Sequence, residues 1–300
     1  MKIIKNNFYT DQNKSLKILV LSDLHIYNEK SIKILNNIKN YLNKNKYDVV
    51  CLVGDIIDST NMLSFEKNTY EKLLEFIEYL GNYAKTYIVY GSHDISYRNY
   101  KKRKWEEDFK TFKSKFLNKI SKYKGIKILE NETMCIDDGY TISGFNPSFK
   151  YANTKNDEEI FIKEGGFEFL KKLNHNNTNI FLCHYPNVVM KLFDKGYLDN
   201  VDLSISGHNH NGMTQLKVFP LEKILNSLKQ NNRGIITPSK SLRLNNTNIL
   251  RGNVKLNNRT TLIINPSITS LAKCTGLLNN FNCLFYSGAT EINFIPEKEN

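Results

Sequence analysis

Residues 16–25 read Leu16-Lys17-Ile18-Leu19-Val20-Leu21-Ser22-Asp23-Leu24-His25, and this stretch decides how the chain is to be read. Leu16 to Leu21 has the length and composition of a buried strand, and it runs straight into an aspartate and a histidine. A helix-like stretch follows around Ile32 to Leu42, and Asp48 to Val53 is a second strand. Tyr70 to Leu80 carries apolar residues at helical spacing, Thr86 to Tyr90 is a third strand, and Trp105 to Ile120 is amphipathic. Strands that alternate with helical stretches signal βαβ units and a largely parallel sheet.

Farther along, Ile126 to Phe145 breaks into short strands, with Asp137-Asp138-Gly139 as a turn between two of them. Helical spacing returns near Phe161 to Leu173. Asn179 to Cys183 and Val201 to Ser206 are strand-like, separated by a helix that starts near Pro186, where a proline is tolerated. The tail from Thr214 is β-rich, with runs at Thr261 to Ile264, Cys283 to Tyr286 and Glu291 to Ile295. No repeat, linker or domain boundary interrupts this pattern. One α/β domain over residues 1–300 is expected, with its core at about 15–295 and the polar stretch Gln230 to Asn258 as a surface excursion.

A hydrophobic content of 40% with 12% aromatics supports a sizeable core and argues against disorder. The five cysteines are scattered and form no CxxC pair, which suggests neither a disulfide framework nor a zinc knuckle and fits a reducing, cytoplasmic setting. No stretch is long and apolar enough to span a bilayer, and Met1 to Asn13 lacks the apolar region of a signal peptide. The net charge of +12 invites a nucleic-acid partner, but the basic residues are spread along a chain rich in Lys and Asn. The tight cluster Lys101-Lys102-Arg103-Lys104 turns acidic at Glu106-Glu107-Asp108, which reads as a solvated face. A positive surface would also recruit a phosphorylated substrate.

Five of the six histidines fall in blocks placed just after apolar runs. Asp23 and His25 form the first block, and Gly54-Asp55-Ile56-Ile57-Asp58 the second. Gly91-Ser92-His93-Asp94 is the third, His184-Tyr185-Pro186 the fourth and Gly207-His208-Asn209-His210 the fifth. Sites in open α/β sheets form at the carboxyl ends of strands, so five strands can deliver these side chains to one crevice. Imidazole and carboxylate without thiolate suit a catalytic divalent ion such as Mn, Fe, Zn or Co. The donors suffice for two ions, and a carboxylate can bridge such a pair. That chemistry points to hydrolysis of phosphate esters. Asp94 and Asn209 read as turn residues, and His175 as an exposed loop histidine.

The blocks resemble, in order, the DxH, GDxxD, GNH(D/E), lone His and GHxH pattern of the calcineurin-like metallophosphoesterase superfamily. Leu129-Glu130-Asn131, Ser143-Gly144 and His184-Tyr185-Pro186-Asn187 resemble further motifs of its small single-domain bacterial phosphodiesterases. The resemblance implies two mixed β-sheets packed as a sandwich and flanked by helices. It implies one metal on Asp23, His25, Asp55 and His210, and a second on Asp55, Ser92, His184 and His208, with metal-activated water as the nucleophile. His93 would protonate the leaving group, oriented by Asp58. An acid catalyst of this kind needs a fixed tautomer and a pKa near neutrality.

Serine at position 92 departs from the family's asparagine, so the second metal exchanges an amide oxygen for a weaker, shorter donor. The expected activity is a phosphodiesterase or phosphomonoesterase. A nuclease using the same metals is the second reading, and a clustered basic groove beside the site would favour it. A metal-binding scaffold weakened in catalysis is the third, resting on Ser92 alone. The physiological substrate, native metals and oligomeric state have no signature in the sequence.

Overall fold

A computed structural model describes residues 2–26, 29–57, 67–99, 104–107, 112–146, 166–208, 242–244, 247–249, 252–268 and 288–297. In chain order the elements are β1 (Lys2–Thr10), β2 (Leu16–Leu21), α1 (Glu29–Leu42), β3 (Val49–Val53), α2 (Lys67–Tyr83), β4 (Lys85–Val89) and α3 (Ser92–Ile95). Next come β5 (Ser96–Asn99), β6 (Lys104–Glu107), α4 (Phe112–Ile120), β7 (Ile126–Ile128), β8 (Glu132–Asp137), β9 (Tyr140–Phe145) and α5 (Glu168–Lys171). The rest are β10 (Thr178–Cys183), α6 (Pro186–Asp194), β11 (Leu203–Ser206), β12 (Leu242–Leu244), β13 (Thr247–Ile249), β14 (Gly252–Lys255), β15 (Thr261–Ile264) and β16 (Gly288–Pro296).

Two six-stranded sheets carry the architecture, in the orders β1-β16-β2-β3-β4-β7 and β14-β15-β11-β10-β9-β8. Both are mixed. In the first, β2, β3, β4 and β7 run parallel, and β16 returns antiparallel to β2. In the second, β15, β11, β10 and β9 run parallel, with β14 and β8 antiparallel at the edges.

Side chains alternate along each strand, so each apolar run serves two layers. Ile18, Val20, Val49, Cys51 and Val53 meet Ile142, Ile180, Leu182, Leu203 and Ile205 of the other sheet in a central apolar layer. Their neighbours Leu19, Leu21, Val50 and Leu52 point the opposite way, onto Leu35 and Ile38 of α1 and Leu73 and Ile77 of α2. Phe181, Cys183, Leu262 and Ile264 do the same beneath α6, against Val188, Val189 and Leu192. The result is helix, sheet, sheet, helix: the expected α/β sandwich of two mixed sheets. Burying each such side chain contributes about 1.5–3 kcal/mol. Burial pushes the Cys51 and Cys183 thiols up, that of Cys183 to about 12, which disfavours the thiolate.

Three expectations need correction. Trp105 to Ile120 is not one amphipathic helix: Lys104–Glu107 pairs antiparallel with Ser96–Asn99, and among the described residues of this stretch the helix is Phe112–Ile120. A cross-strand partner outweighs a weak helical period. Gly252–Lys255, assigned to a surface excursion, is an edge strand of the second sheet, with Val254 buried. β1 lies ahead of the expected core and pairs in parallel with β16 from Lys2↔Gly288 to Thr10↔Pro296. The helical period at Phe161 to Leu173 is seen as Glu168–Lys171, and 161–165 and Cys283 to Tyr286 lie outside the described residues.

Candidate metal centre

The crevice lies where β2, β3, β4, β10 and β11 end. Past β2 and β3 the two chains stay zipped together: the N–H groups of Asp23, His25 and Ile26 donate to the carbonyls of Gly54, Asp55 and Ile56 at 3.0, 3.0 and 2.9 Å. This backbone pairing sets the first two blocks side by side. Among described non-glycine residues, positive φ occurs at Asp23 (54°), His25 (44°), Asp55 (53°), His208 (69°) and Asn131 (58°). Four of these five are metal-ligand candidates. Left-handed backbone disfavours side-chain-bearing residues and clusters where function demands it.

Asp55 is the centre of the arrangement. Its Oδ2 lies 3.1 Å from His184 Nε2 and 3.8 Å from His25 Nε2, and its Oδ1 accepts the His93 N–H at 2.9 Å. Two groups of ligand atoms, each within 4.8 Å of one another, share it: His25 with Asp55 and His93, and Asp55 with His184 and His208. Burial alone would raise the Asp55 carboxyl, but the charges of His184, His93 and His25 outweigh burial and hold it well below the usual carboxylate range. Burial would lower His184, but Asp55 and then Asp23 raise it to about 9 in the metal-free site.

His184 also supplies the test of whether a metal fits. Its Nδ1 sits 2.8 Å from the Val53 carbonyl, which accepts Nδ1–H and turns Nε2 toward Asp55. That Nε2 is fully buried, 3.1 Å from Asp55 Oδ2. A ring nitrogen and a carboxylate facing each other away from water need a proton or a metal cation between them, and a divalent ion would take the proton's place. The donor set therefore suits a divalent ion.

Other candidates take distinct places. The Asp23 carboxylate accepts the His208 N–H at 3.1 and 3.3 Å, tying the first block to the fifth, and it lies outside both three-residue groups. The His93 ring stands edge-on to His25, with centroids 4.6 Å apart, and is half-buried, as is Ser92 at the start of α3. Tyr185 packs against the rings of both His184 and His208, which also stand edge to face with centroids 5.2 Å apart. Asp58 and His210 lie outside the described residues, as do Lys101, Lys102 and Arg103.

Glycines admit this closeness. A Cβ on Gly91 would collide with the Asp55 carboxylate, and one on Gly54, whose φ is +76°, with the His184 ring.

Asp94 does what turn geometry requires, on a larger scale than its sequence position announced. Fully buried, its Oδ1 accepts from Ile56 and Ile57 N–H at 2.8 and 3.1 Å, and its Oδ2 from Gly91 N–H at 2.9 Å. It latches the third block to the second. Sequence reasoning missed a further set, Ser22, Asn265 and Ser267, which bonds the first and fifth blocks. The available signal was an asparagine and a serine flanking Pro266 directly after the apolar run Thr261–Ile264, as polar residues follow apolar runs in the metal blocks.

The family model described as calcineurin-like phosphoesterase matches residues 16–212. A Helicobacter pylori (strain J99) protein called an uncharacterized metallophosphoesterase is 26% identical over 228 residues, covering 75% of this chain and 51% of its own length. A Campylobacter jejuni protein with the same description is 27% identical over 208 residues, covering 69% of this chain and 46% of that protein. The chain thus spans about half the length of these relatives. The crystal structure of a dimetal phosphatase from Danio rerio superposes with a TM-score of 0.49 at 9% identity, over 84% of this chain and 87% of that one.

Proposed function

The chain belongs to the calcineurin-like phosphoesterase family, and on that premise we propose that it hydrolyses a phosphodiester, or a phosphomonoester, at a dinuclear divalent-metal centre. The observation that carries this reading is Asp55, one buried carboxylate held within ligand reach of His25 on one side and His184 on the other. His25, Asp55, Asp23 and His210 would hold one ion, and Asp55, His184, His208 and Ser92 the other. Mn, Fe, Zn or Co suits these donors. Bound ions supply Lewis-acid polarisation of the phosphoryl group and activation of water as nucleophile.

The protein's own residues do the rest. Val53 fixes the His184 tautomer so that Nε2 faces inward. The latch of Asp94 keeps Gly91 against Asp55 and holds the third block beside the second. His93, half-buried at the rim with its backbone N–H anchored on Asp55 Oδ1, protonates the departing oxygen, with Asp58 as its orienting partner. Ser92 offers a hydroxyl in place of an amide, so the second ion is held less tightly. Among the described residues no helix is long and apolar enough to cross a membrane. A phosphate-ester partner follows from this reading, and nucleic acid stays second because only the +12 charge supports it.

The test is hydrolysis of bis-p-nitrophenyl phosphate and p-nitrophenyl phosphate by metal-free protein, with Mn, Co, Fe, Zn and Mg restored one at a time. Turnover that requires metal, prefers the diester and rises in Ser92→Asn supports the reading. Silence with every metal in both parent and Ser92→Asn refutes it.

A further inference from the structure

The turn after β15 reaches the site without offering a candidate ligand. Asn265 is 1% exposed. Its backbone N–H donates to the Ser206 carbonyl at 2.7 Å, and its Nδ2 donates to Ser22 Oγ at 2.8 Å and the Pro266 carbonyl at 3.0 Å. Ile268 N–H donates to the Ser22 carbonyl at 3.2 Å, and buried Ser267 Oγ donates to the Asp23 carbonyl at 3.3 Å. The Ser267 carbonyl accepts from Gly288 N–H, where β16 begins.

These bonds join two sheets. Ser22, Asp23 and Gly288 belong to strands of the first sheet or the turn leaving it, and Ser206 ends β11 of the second, two residues before His208. The Asp23 carboxylate then accepts His208 N–H, which closes a ring of hydrogen bonds around the site. Asp23 sits at φ 54°, a left-handed conformation that is sparsely populated by residues other than glycine, and these bonds help to hold it there. The Asn265 amide is costly in this place: its Oδ1 is buried without a hydrogen-bond partner. An apolar side chain of that shape would bury no unsatisfied oxygen, so the amide contributes position rather than packing.

We infer that Asn265 and Ser267 are positioning residues for the metal centre, clasping the Asp23 turn of the first sheet onto the His208 turn of the second and so setting how tightly metal is held. The inference rests on the metal-centre reading proposed above.

The test is Mn(II) binding by isothermal titration calorimetry, with thermal melts of the metal-free proteins, for the parent, Asn265→Ala, Ser267→Ala and Ser267→Thr. Asn179→Ala is the control. That residue is a buried amide at the far end of β10, bonded to Thr141, Asn174, Asn200 and Asp202. Residues that orient metal ligands typically change affinity ~10–100-fold, and a loss of that order is expected in Asn265→Ala and Ser267→Ala. Ser267→Thr keeps the hydroxyl and should bind as the parent does. Asn179→Ala should lower the metal-free melting temperature yet bind Mn(II) like the parent. Parent-like affinity in both alanine variants of the clasp, or an equal loss in Asn179→Ala, overturns the inference. If Asn265→Ala does not fold, Ser267→Ala against Ser267→Thr decides it. A parent that takes up no Mn(II) overturns the metal-centre reading itself, and that outcome is distinct from a binding parent with indifferent variants.

Discussion

His184 illustrates what a single residue commits the molecule to. In the metal-free site its pKa is raised to about 9, so at pH 7 it carries a proton, whereas a metal ligand must be neutral. Metal loading should therefore expel on the order of one proton per chain at pH 7, and affinity should strengthen as pH rises toward 9. Calorimetry in buffers of different ionisation enthalpy reads that proton directly, and uptake independent of pH would contradict it. Asp94 offers a second prediction at this scale. Asp94→Ala orphans three buried N–H donors, each costing ~1–3 kcal/mol, so urea unfolding should show a loss above about 3 kcal/mol; Asp94→Asn retains one acceptor and should lose less. The ligand candidates were legible because five of the six histidines fall in short blocks directly after apolar runs. The latch and the clasp were not, because an Asp, an Asn or a Ser in a turn looks the same whether it bonds its own backbone or that of a residue far along the chain.

At the scale of elements, the legible strands were those buried on both faces. β3 is buried at all five positions, and the unbroken run Val49–Val53 can be little else. β1 and β14 escaped notice because edge strands keep one side in water: β1 is largely exposed or half-buried along its length, and its Lys and Asn content reads as loop. β1 owes its conformation to β16, a partner almost the whole chain away, which no local pattern announces. The contrast predicts where substitutions bite. Leu182→Ala, in the central layer between the sheets, should cost about 2–5 kcal/mol of stability by urea unfolding. Gly91→Ala should act on both levels, since its Cβ would press on the Asp55 carboxylate and on the Asp55 backbone nitrogen: metal affinity should fall, and the denaturation midpoint of the metal-free protein should fall with it. An unchanged affinity would show that the Asp55 position tolerates displacement.

For the molecule as a whole, the two ends of the described chain are locked together around Glu291. This buried carboxylate accepts the Tyr47 hydroxyl at 2.6 Å and faces Lys17 and Lys5 at 3.4 and 3.6 Å. Burial would raise its pKa, but the hydrogen bonds from Tyr47 and Asn293 and the two lysines lower it. A depressed carboxylate stabilises the fold above its unfolded value of ~4.3 and loses that contribution as pH falls through the lower folded value. Glu291→Gln should therefore be less stable than the parent at pH 7, with the gap narrowing as the solution is acidified below ~4.3. On the proposed reading, one carboxylate, Asp55, serves two metal positions. That sharing is tested most directly by counting Mn per chain, by mass spectrometry after saturation and desalting, in the parent, His25→Ala, His184→Ala and Asp55→Asn. About two ions are expected in the parent, about one in each histidine variant and essentially none in Asp55→Asn, as a shared bridging ligand requires. Asp55→Asn protein that keeps the parent's metal content would contradict the account.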